Sequence, residues 1–348
     1  MVKKVVGVGN AVYSFADVVT KKDYKDLVSC IGELLAENRR RALQTVNDAL
    51  VRTYWNIGRH IVEFEQKGNV RASYGDKLLV RLSKDLTIAY GKGFSRSNLF
   101  MIRQFYVRFP KFQTVSGKLS WSHYTEILKS DSELEIGFYA KQCELENWSV
   151  RELKRQMKSM LFHRIALSKD KKQILDLSKN GIQLQKPEDL VKDPYIFDFL
   201  GIKDQSTCLE GELEDRIVTN IQNFLLELGR GFAFIGRQYV MQIGARQFKV
   251  DLVFYNYILK CFVLIDLKSG EIEHYDVGQM NMYLNFFKVE KSADGDNPPI
   301  GIVLGAHKDQ LLMEYATQGI ENNLFVSRYQ LYLPNRDELQ RELESLLG

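Results

Sequence analysis

The sequence predicts an α/β protein in two parts, a mainly α-helical first half and a second half in which helices flank a mixed β-sheet. Three observations carry that reading. Apolar residues in the first half recur at spacings of three and four; from about Glu210 the pattern shifts to runs rich in Val, Ile, Phe and Tyr; and the charge changes sign between the halves. At 348 residues the chain is long for one core and comfortable for two. Residues 1–168 hold 28 Lys and Arg against 17 Asp and Glu, and residues 169–348 hold 20 against 27, so the net +4 divides into +11 and −7. A basic half of this kind suits a polyanionic partner, the competing reading being a solvated helix surface.

Composition narrows the class further. Hydrophobic residues at 45% and charged residues at 26% are globular values, which argues against a disordered chain. No run approaches the ~20 apolar residues of a membrane span, and MVKKVVGVGNAVYSF lacks an apolar core followed by a small-residue cleavage site. The expected location is cytoplasmic, with no membrane partner. Cys30, Cys143, Cys208 and Cys261 lie far apart and fit neither a zinc-ligand spacing nor a disulfide framework.

The helical half opens with DYKDLVSCIGELLAENRRRALQTVNDALVRTYWNIGRHIVEFEQ, where Leu43, Val46, Leu50 and Tyr54 fall on one face and Lys67-Gly68-Asn69 signals the end. Two amphipathic stretches then flank Gly91-Lys92-Gly93-Phe94. Ser95 stands where an N-cap belongs, and Pro110 closes the second stretch. Such a hairpin resembles a helix-turn-helix, which makes Lys92, Arg96 and Arg103 candidate nucleic-acid contacts, although any pair of antiparallel helices has this pattern. WSHYTEIL and WSVRELKRQMKSMLFHRI continue as helix, the latter with Arg151, Lys154, Arg155 and Lys158 on one face. A polar connector is expected from about Ser168 to Pro187.

In the second half GELEDRIVTNIQNFLLELGRG reads as a helix ending on Gly229 or Gly231. FAFIGRQYVMQI, RQFKVDLVFYN, KCFVLIDLKSG and PPIGIVLGA read as strands, interrupted by the helix VGQMNMYLNFFKVE. Alternation along FVLIDLKSG puts Asp266 and Lys268 on one face with Phe262 and Leu264, and a hairpin through NYIL brings Asp251 beside Asp266. Two carboxylates at close range repel, and burial raises their pKa, so the cluster calls for a cation. Mg²⁺ fits: it takes oxygen ligands and is often held by one or two carboxylates plus a substrate phosphate. A metal on Asp251 and Asp266, with Lys268 positioning water or stabilising the transition state, is the apparatus of phosphodiester hydrolysis. For the Asp-x-Lys tripeptide alone, an ordinary strand-end ion pair is the simpler reading.

The ordered set is what carries the assignment. Glu214 on a helix, Asp251 on the hairpin, Asp266-Leu-Lys268 ending a strand, and Gln279 and Tyr283 at i, i+4 on the following helix resemble the PD-(D/E)xK nuclease superfamily and its RecB-like QxxxY subset. FLLELGRGFAFIGRQ, FKVDLVFYN, CFVLIDLKSG and VGQMNMYLN resemble the bacterial YhcG-type family within it, and LVSCIGELLAENRRRALQTVNDALVRTYWNIGRHIVEFEQ and SYGDKLLVRLSKDL resemble that family's N-terminal helical, winged-helix-like domain. The resemblance runs from about Tyr24 to Pro334. It implies a restriction-endonuclease-like α/β domain over residues 206–345, a connector over 169–205 and a basic, nucleic-acid-binding domain over 20–168.

Position by position, the resemblance makes Asp251, Asp266, Lys268, Gln279 and Tyr283 the catalytic set and Asp251, Asp266 and Glu214 the metal set, with Glu212 a competitor for Glu214. Mg²⁺ is the implied cofactor, with Mn²⁺ able to substitute. The implied partner is DNA, RNA stays open, and a homo-oligomer is allowed. Val250 replaces the motif proline, and Asp266 is one methylene shorter than the usual glutamate. That shorter arm and the acidic second half motivate an alternative, a non-catalytic nucleic-acid-binding or adaptor protein that keeps the fold. Arg237-Gln238 is a further candidate backbone contact. His274 reads as a solvent-facing loop residue, Gly91-Lys92-Gly93-Phe94 as a turn, and Asp294-Gly295-Asp296-Asn297 as a loop lacking the calcium pattern.

Overall fold

The computed structural model describes residues 21–67, 72–111, 115–167, 169–202 and 209–347. Among the described residues eight α-helices precede the sheet: α1 (Lys21–Lys67), α2 (Ala72–Tyr90), α3 (Arg96–Arg108), α4 (Trp121–Ile127), α5 (Glu133–Glu146), α6 (Val150–Lys158), α7 (Leu161–Ala166) and α8 (Lys171–Asn180). Capping explains several of the starts. Ser95 accepts from the Asn98 amide to open α3, and Ser149 and Glu152 satisfy each other's backbone amides to open α6. α1 ends at Lys67 as expected, while Gly68 and Asn69 lie outside the described residues. The stretch expected as a polar connector contains α8, whose Ile174 and Leu177 are buried. Among the described residues no strand precedes Tyr195, so the winged-helix comparison holds for helices alone.

The face expected from Leu43, Val46 and Leu50 is not a core face. Leu43 and Val46 are 72% and 67% exposed, and burial along α1 begins only at Val51. From there Val51 and Trp55 join Phe105, Tyr124, Phe138, Tyr139 and Phe162 in the main helical core, and the Trp55 indole donates to the Phe109 carbonyl at 2.7 Å.

The second half contains β1 (Tyr195–Ile196), α9 (Glu210–Thr219), α10 (Ile221–Leu228), β2 (Phe232–Ile243), β3 (Arg246–Asn256), β4 (Cys261–Glu271), α11 (His274–Glu290), β5 (Ile300–His307), α12 (Gln310–Thr317), β6 (Asn323–Gln330) and α13 (Arg336–Leu347). The expected single helix over GELEDRIVTNIQNFLLELGRG breaks at Asn220, whose side chain bonds back to the Arg216 carbonyl. Gly229 then caps α10. The sheet order is β1-β6-β5-β4-β3-β2, antiparallel across β2, β3 and β4 and parallel from β4 through β5 and β6 to β1. This is the expected mixed sheet, with α9 and α10 on one face and α11 on the other.

β4 lies inside the sheet and is buried from Val263 through Leu267. Val263, Ile265 and Leu267 face the layer of Leu213, Ile217 and Phe224, whereas Leu264 faces Val277, Met280, Tyr283 and Leu284. Two glycines of β5 let α11 and the connector before it approach. A Cβ on Gly301 would stand 2.7 Å from Met280 Cγ, and one on Gly305 would stand 2.3 Å from Ile272 Cγ1.

The halves meet through a buried ionic network. The Arg164 guanidinium of α7 donates to Glu227 Oε1 of α10 at 2.7 Å and to the carbonyls of Ser159 and Pro194, both at 2.8 Å. Glu227 also accepts from the Ile196 amide at 3.0 Å, and the Lys192 ammonium donates to its backbone carbonyl. Burial opposes ionisation of Glu227, but Arg164 and Lys192 outweigh it and hold the carboxyl below its usual range. Nearby, Arg155 pairs with Asp198 at 2.8 Å. α13 returns to place Leu343 in the helical core.

Breaking this network by Glu227→Ala strands a buried guanidinium and orphans the Ile196 amide. The expected loss is about 3–5 kcal/mol in chemical denaturation, well above that of a surface substitution.

Candidate active site at the end of β4

The antiparallel register of β3 and β4 pairs Leu252 with Ile265, and one step further along the two strands lie Asp251 and Asp266. Asp251 Oδ2 accepts from the Leu267 amide at 2.8 Å, which fixes that carboxylate across the strand pair. Asp266 is 3% exposed, and its carboxyl lies close enough to Asp251 to be perturbed by it. Lys268 Nζ lies 3.0 Å from Asp266 Oδ2 and 3.5 Å from Asp276 Oδ1. The expected convergence of two carboxylates and an ammonium is therefore present.

Burial first, then the Asp251 charge, pushes the Asp266 carboxyl up to about 7, against the opposing pull of Lys268. Burial would lower the Lys268 ammonium, but Asp266 and Asp276 outweigh it and raise it above its ordinary value. The site thus carries more buried negative charge than its lysine neutralises. Oxygen donors with surplus negative charge are what a hard divalent cation fits. Among the described residues no group of three or more His, Cys, Asp or Glu side chains is arranged to hold a metal by itself.

Glu214 faces the same end of the sheet but meets Asp251 only through an amide. Gln238 Nε2 donates to Glu214 Oε2 at 2.5 Å and to Asp251 Oδ1 at 3.0 Å. Gln238 reaches this position from a left-handed backbone, φ 46°, just past the irregular pairing of β2 between Phe234 and Gly236. Its amide is thus engaged by these two carboxylates, whereas the sequence offered Arg237-Gln238 as a backbone contact. Burial raises the Glu214 carboxyl, Gln238 lowers it and Asp251 raises it further. Glu212 instead pairs with Arg216 at 2.7 Å on the outer side of α9.

On α11, Gln279 donates its amide to the Tyr283 hydroxyl, and Tyr283 is buried against Phe248. Burial raises the Tyr283 phenol, which also senses Asp266, Lys268 and Asp251. Asp276 was not singled out by sequence, although it stands three before Gln279 and seven before Tyr283, a one-face spacing that could have flagged it. It is buried, accepts from the Glu273 amide at 2.9 Å and flanks Lys268. His274 is the exposed first residue of α11.

The expected nucleic-acid contacts are dispersed. Lys92 is exposed in the turn after α2, and Arg96 opens α3. Arg103 Nε is engaged by Glu65 at 2.7 Å. Arg237 lies beside the site, 2.6 Å from Asp215 and 4.0 Å from Glu214. On α6, Arg155 and Lys154 are taken up by Asp198 and Glu126.

Comparison with known proteins bears on both halves. Residues 188–344 match the family model described as the YhcG PDDEXK nuclease domain, and residues 30–164 match the DUF1016 N-terminal domain. A curated protein of Escherichia coli K12, "Putative nuclease YhcG", is 36% identical over an alignment that covers 93% of this chain and 94% of the relative. The chain belongs to the YhcG family. Its second half is the PDDEXK nuclease domain of that family, and its first half is the family's helical domain. Two solved structures are more distant. A repair endonuclease from Pyrococcus abyssi has 20% identity and a TM-score of 0.27, covering 36% of this chain and 48% of that one. A structure titled as an EndoMS-dsDNA2 complex has 20% identity and a TM-score of 0.26, covering 36% of this chain and 46% of that one. The chain spans just under half the length of each.

The Asp266 carboxyl has a signature in stability. Its folded value, about 7, stands above the ordinary 3.8, so the fold binds this proton more tightly than the unfolded chain does. Stability from this group is present in acid and lost as pH rises from about 4 through 7. In metal-free buffer, Asp266→Asn is expected to stabilise the YhcG-family chain by about 1–3 kcal/mol at pH 8 and by little at pH 4. Part of the ~4 kcal/mol implied by the shift is offset because Lys268 loses a partner. Urea denaturation across that range measures the difference.

Proposed function

We propose that this protein hydrolyses phosphodiester bonds in DNA with the help of a divalent ion, the second half cutting and the basic helical half gripping the strand. The observation that carries the reading is the juxtaposition of half-buried Asp251 on β3 with buried Asp266 on β4, with surplus negative charge and Lys268 against Asp266. Asp251 and Asp266 would hold Mg²⁺ or Mn²⁺. When bound, such an ion supplies charge neutralisation at the phosphate and a more acidic water.

The remaining parts act through the chain's own side chains. Lys268 stays protonated between Asp266 and Asp276 and donates toward the attacking water or the phosphate oxygen that gains charge. Gln238 ties Asp251 to Glu214, so Asp251 keeps its orientation whichever oxygen it presents. Gln279 and Tyr283 brace the α11 side of the site. Arg237 and, from the helical half, Lys92 and Arg96 supply cationic contacts to the phosphate backbone, with Arg103 available only at the cost of its Glu65 pair.

Purified protein with plasmid, linear and branched DNA, and RNA alongside, tests this. Cleavage is expected with Mg²⁺ or Mn²⁺ and not with a chelator. Asp266→Ala and Lys268→Ala are each expected to reduce the rate by about 100-fold or more. Cleavage that survives both would place the chemistry elsewhere. Salt-dependent DNA binding without metal uptake or cleavage would establish the adaptor reading instead.

Gln238→Ala separates orientation from ligation. Its metal requirement should rise about 10-fold while activity returns at high metal concentration. A metal titration of the cleavage rate reads this out.

A further inference from the structure

β3 pairs with β4 only from Leu252 to Asn256, whereas its pairing with β2 runs on past Tyr239 and Val250 to the turn at Gly244-Ala245. Beyond the sheet the two strands therefore continue as a two-stranded ribbon. Successive pairs alternate between its faces. On one face Tyr239 and Phe248 meet Phe287 and Tyr283 of α11, and Met241 and Val250 are buried in the same layer, which holds the ribbon to the body. The pairs of the other face, Val240 with Lys249 and Gln242 with Gln247, are all exposed.

The composition of the ribbon suits a polyanion. Residues 237–250 contain Arg237, Arg246 and Lys249 and no acidic residue, within a half of the chain where Asp and Glu outnumber Lys and Arg. Arg237 is engaged by Asp215, but among the described residues Arg246 and Lys249 make no ion pair. The ribbon also starts at the candidate site. Gln238 and Asp251, bonded to each other, adjoin the pair Tyr239 and Val250, and Lys249 stands two residues, about 7 Å along the strand, from Asp251. A nucleic acid cut at Asp251 and Asp266 lies within reach of it.

Shape selects the kind of nucleic acid. Two paired strands, about 4.8 Å apart, fit with their side chains into the roughly 12 Å major groove of B-form DNA. Glutamine and lysine are side chains that bond to base edges there, glutamine to adenine and lysine to guanine. The major groove of an A-form RNA duplex is too deep and narrow for them. Gln242 is drawn to the Gly244 carbonyl at 2.7 Å, while the Gln247 side chain has no hydrogen-bond partner among the described residues.

We propose that the ribbon of residues 239–250 reads duplex DNA, seating its open face in the major groove beside the bond to be cut. The proposal rests on the nuclease reading above and narrows its substrate to double-stranded DNA.

Fluorescence anisotropy in the presence of a chelator, with a short DNA duplex, an RNA duplex of the same sequence and single-stranded DNA, tests this. The full chain is expected to prefer the DNA duplex to the RNA duplex by about 10-fold or more. Gln247→Ala/Lys249→Ala is expected to weaken DNA-duplex binding by about 10–100-fold, to abolish that preference and to leave single-strand binding unchanged, with the circular dichroism of the wild type. Methylating guanine N7 in the duplex should impair the wild type and not this variant. Arg246→Ala should reduce the slope of log affinity against log salt by about 1. No duplex binding, equal affinity for the RNA duplex, equal loss on all three nucleic acids, or a duplex affinity that Gln247→Ala/Lys249→Ala leaves unchanged would each overturn the proposal. Binding is read without metal, so a chain that binds the duplex through the ribbon but never cuts it supports the ribbon's role and overturns the proposed hydrolysis alone.

Discussion

The geometry of the site depends on one constraint, the register between β3 and β4. It is set by apolar pairs, Leu252 with Ile265, Val253 with Leu264 and Phe254 with Val263, all buried. A slip of one residue would turn Asp266 and Lys268 to the opposite face and bury them against α9. Hydrophobic packing therefore pays for the repulsion between Asp251 and Asp266. The strand that brings the charges together is paired on both sides and buried from Val263 to Leu267.

The same logic joins the halves. The helical core and the sheet have separate apolar interiors, yet Arg164 and Glu227 bond across them with neither side chain exposed. A buried ion pair adds little net stability compared with an apolar replacement, but it tolerates no other partner. Gln156, bonding to the Leu226 carbonyl at 2.9 Å, and Arg155, bonding to the Ile196 carbonyl at 3.1 Å, add directional contacts nearby. The junction is thus specified by hydrogen-bond direction as well as by packing.

Much of the second half was legible because period-two alternation and its charged endpoints are local signals. Asp251, Asp266 and Lys268 could be brought together from strand pattern and turn length alone. Gln238 could not, because its reach to Asp251 and Glu214 arises from a left-handed residue after an irregular pairing, which alternation does not encode. Asp276 was hidden by its proximity to the connector after β4. In the first half, the period of α1 revealed a helix but not what its face meets. Leu43 and Val46 have the spacing of core residues, and only the tertiary structure leaves them bare.

α1 is a single helix that runs from its exposed arm into the body without a break. It therefore works as a rigid spacer, since a continuous helix converts residue count into distance. From Asn38 to Val51, where burial begins, the arm adds 13 residues at about 1.5 Å per residue, so a group at Asn38 is held about 20 Å from the helical core. Inserting or deleting residues in the arm would change that reach, and would also rotate its tip relative to the core by about 100° per residue.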